Sequence, residues 1–188
     1  ALGAALIFRG LEGSGMAAPD RLWWSVFHSV SAFCNAGFAL PGDSLTGYAG
    51  QPGILFPVMG LIVAGGLGFP VIFELLRYDV TSMPVIRRLR WKPRRRESGT
   101  IPRLSLHARL VMTGTVVLIL LGTIVIFVLE SRFALFTLDF AEQGWACLFQ
   151  SVTSRTAGFN TLDVGRLRIP TLLILMLLMA IGASPVST

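Results

Sequence analysis

Apolar positions along this chain come in long unbroken runs rather than at the alternating or heptad spacing of half-buried elements. Two of them, Ile54 to Phe73 and Leu110 to Leu129, hold twenty residues each without a charge, and each is followed by a glutamate, Glu74 or Glu130. A hydrocarbon layer about 30 Å thick needs roughly 20 helical residues to cross it, so both runs predict spanning helices. A third uncharged run is apolar from Ile169 to Ile181 and then passes into Gly182-Ala183-Ser184-Pro185. Pro185 has no amide hydrogen and disfavours helix at Ser184, so the helix is expected to break there. The opening Ala1–Phe8 is too short to span and reads as the tail of a helix; no basic region precedes it, which argues against a signal peptide. The missing start methionine and the uncharged ending read as a piece cut from a larger membrane protein.

Two shorter apolar stretches, Arg21–Phe33 and Glu142–Ser154, have thirteen residues each. As helices they would rise about 20 Å, enough to enter a bilayer but not to cross it. Each runs into a polar, glycine-containing strip that has to turn back. Non-helical backbone at membrane depth is tolerated only where protein buries it or where it lines a wet cavity, so a pore is the economical reading.

Charge sets the orientation. Only 14% of residues are charged against 53% hydrophobic, about half the charge of a soluble domain, which excludes soluble, disordered and solvent-facing coiled-coil classes. The net charge of +6 does not point to nucleic acid, because ten of the sixteen basic residues lie between Arg77 and Arg109, beside the spans. That loop carries Arg87, Arg88, Arg90, Lys92, Arg94, Arg95 and Arg96, broken by Pro84, Pro93 and Pro102. Short basic loops stay in the cytoplasm, so the Glu74 and Arg109 ends are cytoplasmic and both half-spans enter from outside. The loop is either purely topogenic or a docking surface for anionic lipid or a regulatory subunit. Cys34 and Cys147 lack the number and spacing of a disulfide framework or metal site and read as small packing residues.

The half-spans repeat one another. Phe27-His28-Ser29-Val30-Ser31-Ala32-Phe33-Cys34-Asn35-Ala36-Gly37-Phe38 matches Phe149-Gln150-Ser151-Val152-Thr153-Ser154-Arg155-Thr156-Ala157-Gly158-Phe159 with one gap. Trp24 and Trp145 each stand thirteen residues before the glycine, and the glycines are 121 residues apart. Internal repeats in a polytopic chain point to transport.

The strips Ser31–Phe38 and Ser154–Thr161 resemble the filter signatures of the Trk/Ktr/HKT superfamily of potassium transporters. Gly65-Gly66-Leu67-Gly68-Phe69 is similar to the glycine-rich inner span after that superfamily's second filter, and Ile181–Thr188 to the start of the intramembrane loop after its third. The resemblance implies an all-α polytopic membrane protein of repeated span–pore-loop–span units, of the potassium-channel type, with four units around one pore. Residues 1–76 would hold the end of an outer helix, the pore helix, filter and inner helix of unit two. Residues 77–109 would form the basic cytoplasmic loop, and residues 110–188 the corresponding parts of unit three. It further implies potassium uptake through backbone carbonyls of Asn35, Ala36, Gly37 and Phe38 and of Thr156, Ala157, Gly158 and Phe159, which would be the only metal ligands. A gate would lie at Gly182, Ala183, Ser184 and Pro185, where alanine and valine replace the family's expected glycines at 183 and 186. The implied setting is a bacterial cytoplasmic membrane, multi-pass, with membrane lipid, a second copy in a homodimer and a cytosolic nucleotide-binding ring as partners. No cofactor is implied; potassium is the substrate and sodium a candidate coupling ion.

Single residues keep two readings. Arg155 turned from the ion, bonded to loop carbonyls or to Asp163, is favoured over Arg155 facing it. His28 reads as a packing or hydrogen-bonding residue before an ion-binding or pH-sensing one. Asp43 and Asp163 either gather cations at the mouth or are solvated loop residues. Trp23, Trp24 and Trp145 read as interface anchors. Rival functions are a sodium-permeable relative, a re-entrant-loop carrier for another solute such as an anion, and an intramembrane enzyme. The carrier would present helix N-termini to its site. The enzyme would need a nucleophile–base set that His28 and His107 do not supply.

Overall fold

The computed structural model describes residues 1–82, 105–133, 135–136 and 138–182. Among them every regular element is helical: α1 (Leu2–Gly10), α2 (Ala18–Phe33), α3 (Pro52–Leu67), α4 (Phe69–Ser82), α5 (Leu106–Glu130), α6 (Phe140–Thr156) and α7 (Ile169–Ile181), with single 3-10 turns at Thr46–Tyr48 and Val164–Arg166. The basic cluster Arg87–Arg96 and the residues Ala183–Pro185 lie outside the described residues. Helices α1, α2 and α3 pack on one another, α5, α6 and α7 do the same, and α3 against α6 joins the two groups.

Helix α5 is the one straight helix among the described residues that is long and apolar enough to span, at 25 residues. It starts where Ser105 Oγ accepts the Ala108 amide at 3.1 Å, and Glu74 on α4 takes the Ser105 hydroxyl at 2.7 Å. Its outward face, with Leu120, Leu121, Ile124 and Val128, leaves large apolar side chains uncovered, as a lipid-facing helix does. At the far end Glu130 is fully buried, its Oε1 accepting the Arg168 amide at 2.9 Å and the Thr171 hydroxyl at 2.5 Å. That carboxylate caps α7, whose first amides have no partner within the helix.

The uncharged run Ile54–Phe73 is not one straight span. It divides into α3 and α4, which meet at 105°. The break sits at Gly68, with φ 80° and ψ 151°, a conformation open essentially only to glycine. Pro70 in the first turn of α4 adds to it, because it has no amide to continue the α3 ladder.

The half-spans form full helices slightly longer than their apolar cores. Helix α2 opens with Pro19 and Asp20 in its first turn, and α6 with the reciprocal capping pair Asp139 and Glu142. The two groups share a packing device. A Cβ on Gly3 of α1 would lie 3.0 Å from Ser29 Oγ, and one on Gly122 of α5 would lie 2.4 Å from Ser151 Oγ. A Cβ on Gly65 would lie 2.0 Å from the Phe33 carbonyl, and one on Gly182 would lie 3.9 Å from that of Arg155. Ser29 with Ser151 and Phe33 with Arg155 are both pairs 122 residues apart, the offset of the repeat within these helices.

Candidate functional site

Where α2 ends, the chain unwinds through two left-handed residues, Asn35 at φ 51° and Gly37 at φ 71°. The Ala36 amide returns to the Ser31 carbonyl at 2.9 Å and closes the turn. Two side chains of α2 then hold the outgoing strip. Ser31 Oγ donates to the Phe38 carbonyl at 2.8 Å, and the Leu40 amide donates to His28 Nε2 at 3.4 Å. His28 Nδ1 lies 2.8 Å from the Trp24 carbonyl, which can only accept. Nδ1 therefore carries the proton and Nε2 keeps a free lone pair for Leu40. The imidazole is fully buried and stacked on Trp24 at 3.6 Å, so it is a bonded packing residue.

The second strip leaves α6 in the same sense. The Ala157 and Gly158 amides both return to the Thr153 carbonyl, at 3.0 and 3.1 Å, and Gly158 takes φ 82°. The strips touch through backbone: a Cβ on Gly37 would sit 2.0 Å from the Ala157 carbonyl oxygen. Only glycine permits that approach and that φ together. Beyond the glycines the strips stay tied. The Leu45 amide donates to the Asn160 carbonyl at 2.9 Å, and the Asn160 amide to Ser44 Oγ at 3.0 Å. The structure thus brings Asn35–Phe38 and Thr156–Phe159 side by side, with Phe159 fully buried and Phe38 exposed.

Arg155 does not pair with Asp163. Its Nη2 donates to the Gly182 carbonyl at 3.1 Å and to Thr115 Oγ1 at 3.4 Å, tying the end of α6 to the end of α7 and to α5. Gly182 has φ 57° and is the one residue of the expected gate segment within the described residues. Asp163 is spent on its own turn, accepting the Gly165 amide at 3.0 Å and pairing with Arg166 at 3.2 Å. Asp43 accepts the Thr46 hydroxyl at 2.6 Å. Both acids therefore act first as loop caps. Near Asp43, Tyr48 has its phenol pushed above the ordinary range, by burial first and by Asp43 second.

Two sequence readings are corrected. Trp24 is buried behind His28 and Tyr48 rather than anchored at an interface, whereas Trp23 is exposed and Trp145 meets Phe56 edge-on at 5.0 Å. Cys34 is exposed at the foot of the first strip, and only Cys147 is a buried packing residue. Gly122, within α5, is a close-contact site set against Ser151. Ser44, Thr115 and the capping role of Glu130 carry no sequence signal, since each is defined by a partner between 38 and 116 residues away. Among the described residues no group of three His, Cys, Asp or Glu could hold a metal ion.

The chain is similar to potassium uptake proteins. It is 38% identical to Ktr system potassium uptake protein B of Bacillus subtilis, over 89% of this chain and 34% of that protein. Identity is 36% to the protein of the same name in Vibrio alginolyticus, over 89% and 33%, and 34% to the potassium/sodium uptake protein NtpJ of Enterococcus hirae, over 89% and 33%. The chain therefore spans about a third of the length of these relatives. The TrkH cation transport protein family matches residues 5–188. That family consists of membrane transport proteins, which sets aside the intramembrane enzyme. With its two glycine strips, repeated helix groups and a match over nearly its whole length, the chain belongs to the TrkH cation transport protein family.

Proposed function

We propose that this chain contributes two of four walls to a potassium-selective pore and acts in potassium uptake across a bacterial cytoplasmic membrane, as part of a multi-pass translocating subunit. The observation that carries the proposal is the backbone contact between Gly37 and the Ala157 carbonyl, which sets two duplicated strips against each other at the ends of two half-span helices. A dehydrating potassium ion needs several oxygen ligands at once, and rings of backbone carbonyls supply them. Asn35–Phe38 and Thr156–Phe159 are the ligand-bearing strips in this reading. Helices α2 and α6 run into the strips with their C-terminal ends, whose partial negative charge favours a cation. A carrier for an anion would present N-terminal ends, so that reading loses ground. Arg155 is turned towards the Gly182 carbonyl and Thr115, the direction this reading expects of a cation beside a cation filter.

Residues 1–76 and 110–188 act as the second and third units, joined by the basic cytoplasmic stretch 77–109, with Gly182–Pro185 opening a gate beneath the third filter. Two relatives are named as proteins of a Ktr system, which supports the presence of further components; that these are a second copy and a cytosolic nucleotide-binding ring rests on the resemblance alone. A sodium-permeable or sodium-coupled transporter is the second reading, favoured by the name of the Enterococcus relative. Flux through the full-length protein in liposomes decides between them. Potassium or rubidium uptake well above sodium uptake is expected, and equal or greater sodium flux supports the second reading instead.

A further inference from the structure

In the first strip two side chains of the half-span helix hold the backbone beyond the glycine: Ser31 on the Phe38 carbonyl and His28 on the Leu40 amide. The repeat pairs these with Thr153 and Gln150. The contacts agree with this pairing: Ser29 and Ser151, each set against a glycine of a neighbouring helix, are 122 residues apart. Phe38 and Leu40 then correspond to Phe159 and Thr161. In the second strip Gln150 Oε1, Thr153 Oγ1 and Thr161 Oγ1 are all buried and all lack a hydrogen-bond partner. Buried polar atoms without partners are rare and costly, and three of them here fall at the positions where the first repeat makes its two braces.

We propose that His28 with Ser31 and Gln150 with Thr153 are paired struts that set the outer ends of the two filter strips. The second pair engages the Phe159 carbonyl and the Thr161 amide or hydroxyl, directly or through buried water, when the filter holds its conducting shape. These are positioning residues. They touch no ion, and they act by fixing the carbonyls that do. Glutamine can replace neutral histidine in this role because each offers one acceptor at a similar reach from the helix.

The inference rests on the filter reading above, and the experiment keeps the two apart. Potassium and sodium fluxes are measured in the full-length protein for His28→Gln, His28→Leu, Gln150→His and Thr153→Val, normalised to the amount folded in the membrane. His28→Gln and Gln150→His are expected to keep potassium-over-sodium discrimination close to that of the unmodified protein. His28→Leu is expected to reduce it about tenfold, the effect of losing one hydrogen bond worth about 1.4 kcal/mol. Thr153→Val is nearly isosteric, so folding is little disturbed, and a loss of about fivefold is expected. If Thr153 stayed unpartnered in the working protein, valine would be neutral or stabilising there with unchanged discrimination, and that result overturns the strut. So does an equal loss in His28→Gln and His28→Leu, provided that Gly37→Ser still lowers discrimination. Failure of Gly37→Ser as well removes the filter reading itself.

Discussion

Gly37 and Arg155 show how much a single position can carry. Gly37 combines a left-handed backbone with a carbonyl oxygen lying where a Cβ would have to be, so any side chain there collides with the opposite strip. Gly158 has the same kind of φ but open space around its Cβ position, so substitution there strains backbone without a clash. Arg155 is the opposite case: a charge whose role is structural. Its guanidinium ties α6 to the end of α7 and to α5. Replacing it with methionine keeps the bulk and removes both bonds, at about 1.5–3 kcal/mol for hydrogen bonds to a charged group. Arg155→Met is therefore expected to lower the melting temperature of the purified full-length protein more than it alters the ion selectivity of the fraction that folds. A fall in selectivity with unchanged thermal stability would place Arg155 at the ion instead.

At the scale of elements, the hydrophobic runs locate the helices well and their shapes poorly. The twenty apolar residues before Glu130 do form a helix, as do both thirteen-residue stretches, because burial or lipid contact of an apolar face is the main stabilising term for each. The run Ile54–Phe73 is as long and as free of charge yet turns by 105° at Gly68, since hydropathy carries no information about φ and ψ. The signal was present in Gly65-Gly66-Leu67-Gly68-Phe69-Pro70, which holds a residue able to take a mirror-extended conformation beside one without an amide hydrogen. The strips themselves were legible because they are duplicated. Their mutual contact was not, because the bond from Asn160 to Ser44 joins residues 116 apart and leaves no local pattern. The close contact at Gly122 is hidden for a related reason: nothing local announces Ser151 behind it. Gly68→Ala tests the bend. Alanine is strained there by about 1–3 kcal/mol, so a lower melting temperature is expected, whereas Gly114→Ala inside α5, where a Cβ meets nothing and alanine favours the helix, should leave it unchanged or raise it. Equal behaviour of the two variants would mean that the bend needs no glycine.

For the whole molecule, two groups of three helices, each with its half-span helix in contact with the other two, meet along α3 and α6. The orientation of this assembly rests on charge. Ten basic residues between Arg77 and Arg109 against Asp79 and Glu97 are the ground for expecting that stretch in the cytoplasm. A single cysteine at Ser98, in full-length protein with its other cysteines removed, should resist an impermeant thiol reagent applied to intact cells and react once the membrane is opened. Prompt labelling from outside would invert the topology and send both half-span helices in from the cytoplasm.

The central claim is that two glycine strips meet to form part of a potassium filter, and the most direct test is the ratio of potassium to sodium uptake by Gly37→Ser in the full-length protein. Gly114→Ser serves as the control, because a Cβ at that position meets nothing. Serine at 37 disfavours the left-handed φ and pushes against the Ala157 carbonyl, so the ratio should fall by about tenfold or more while the control keeps the original value. Normal membrane expression of Gly37→Ser with an unchanged ratio would contradict the account and reduce Gly37 to a turn residue.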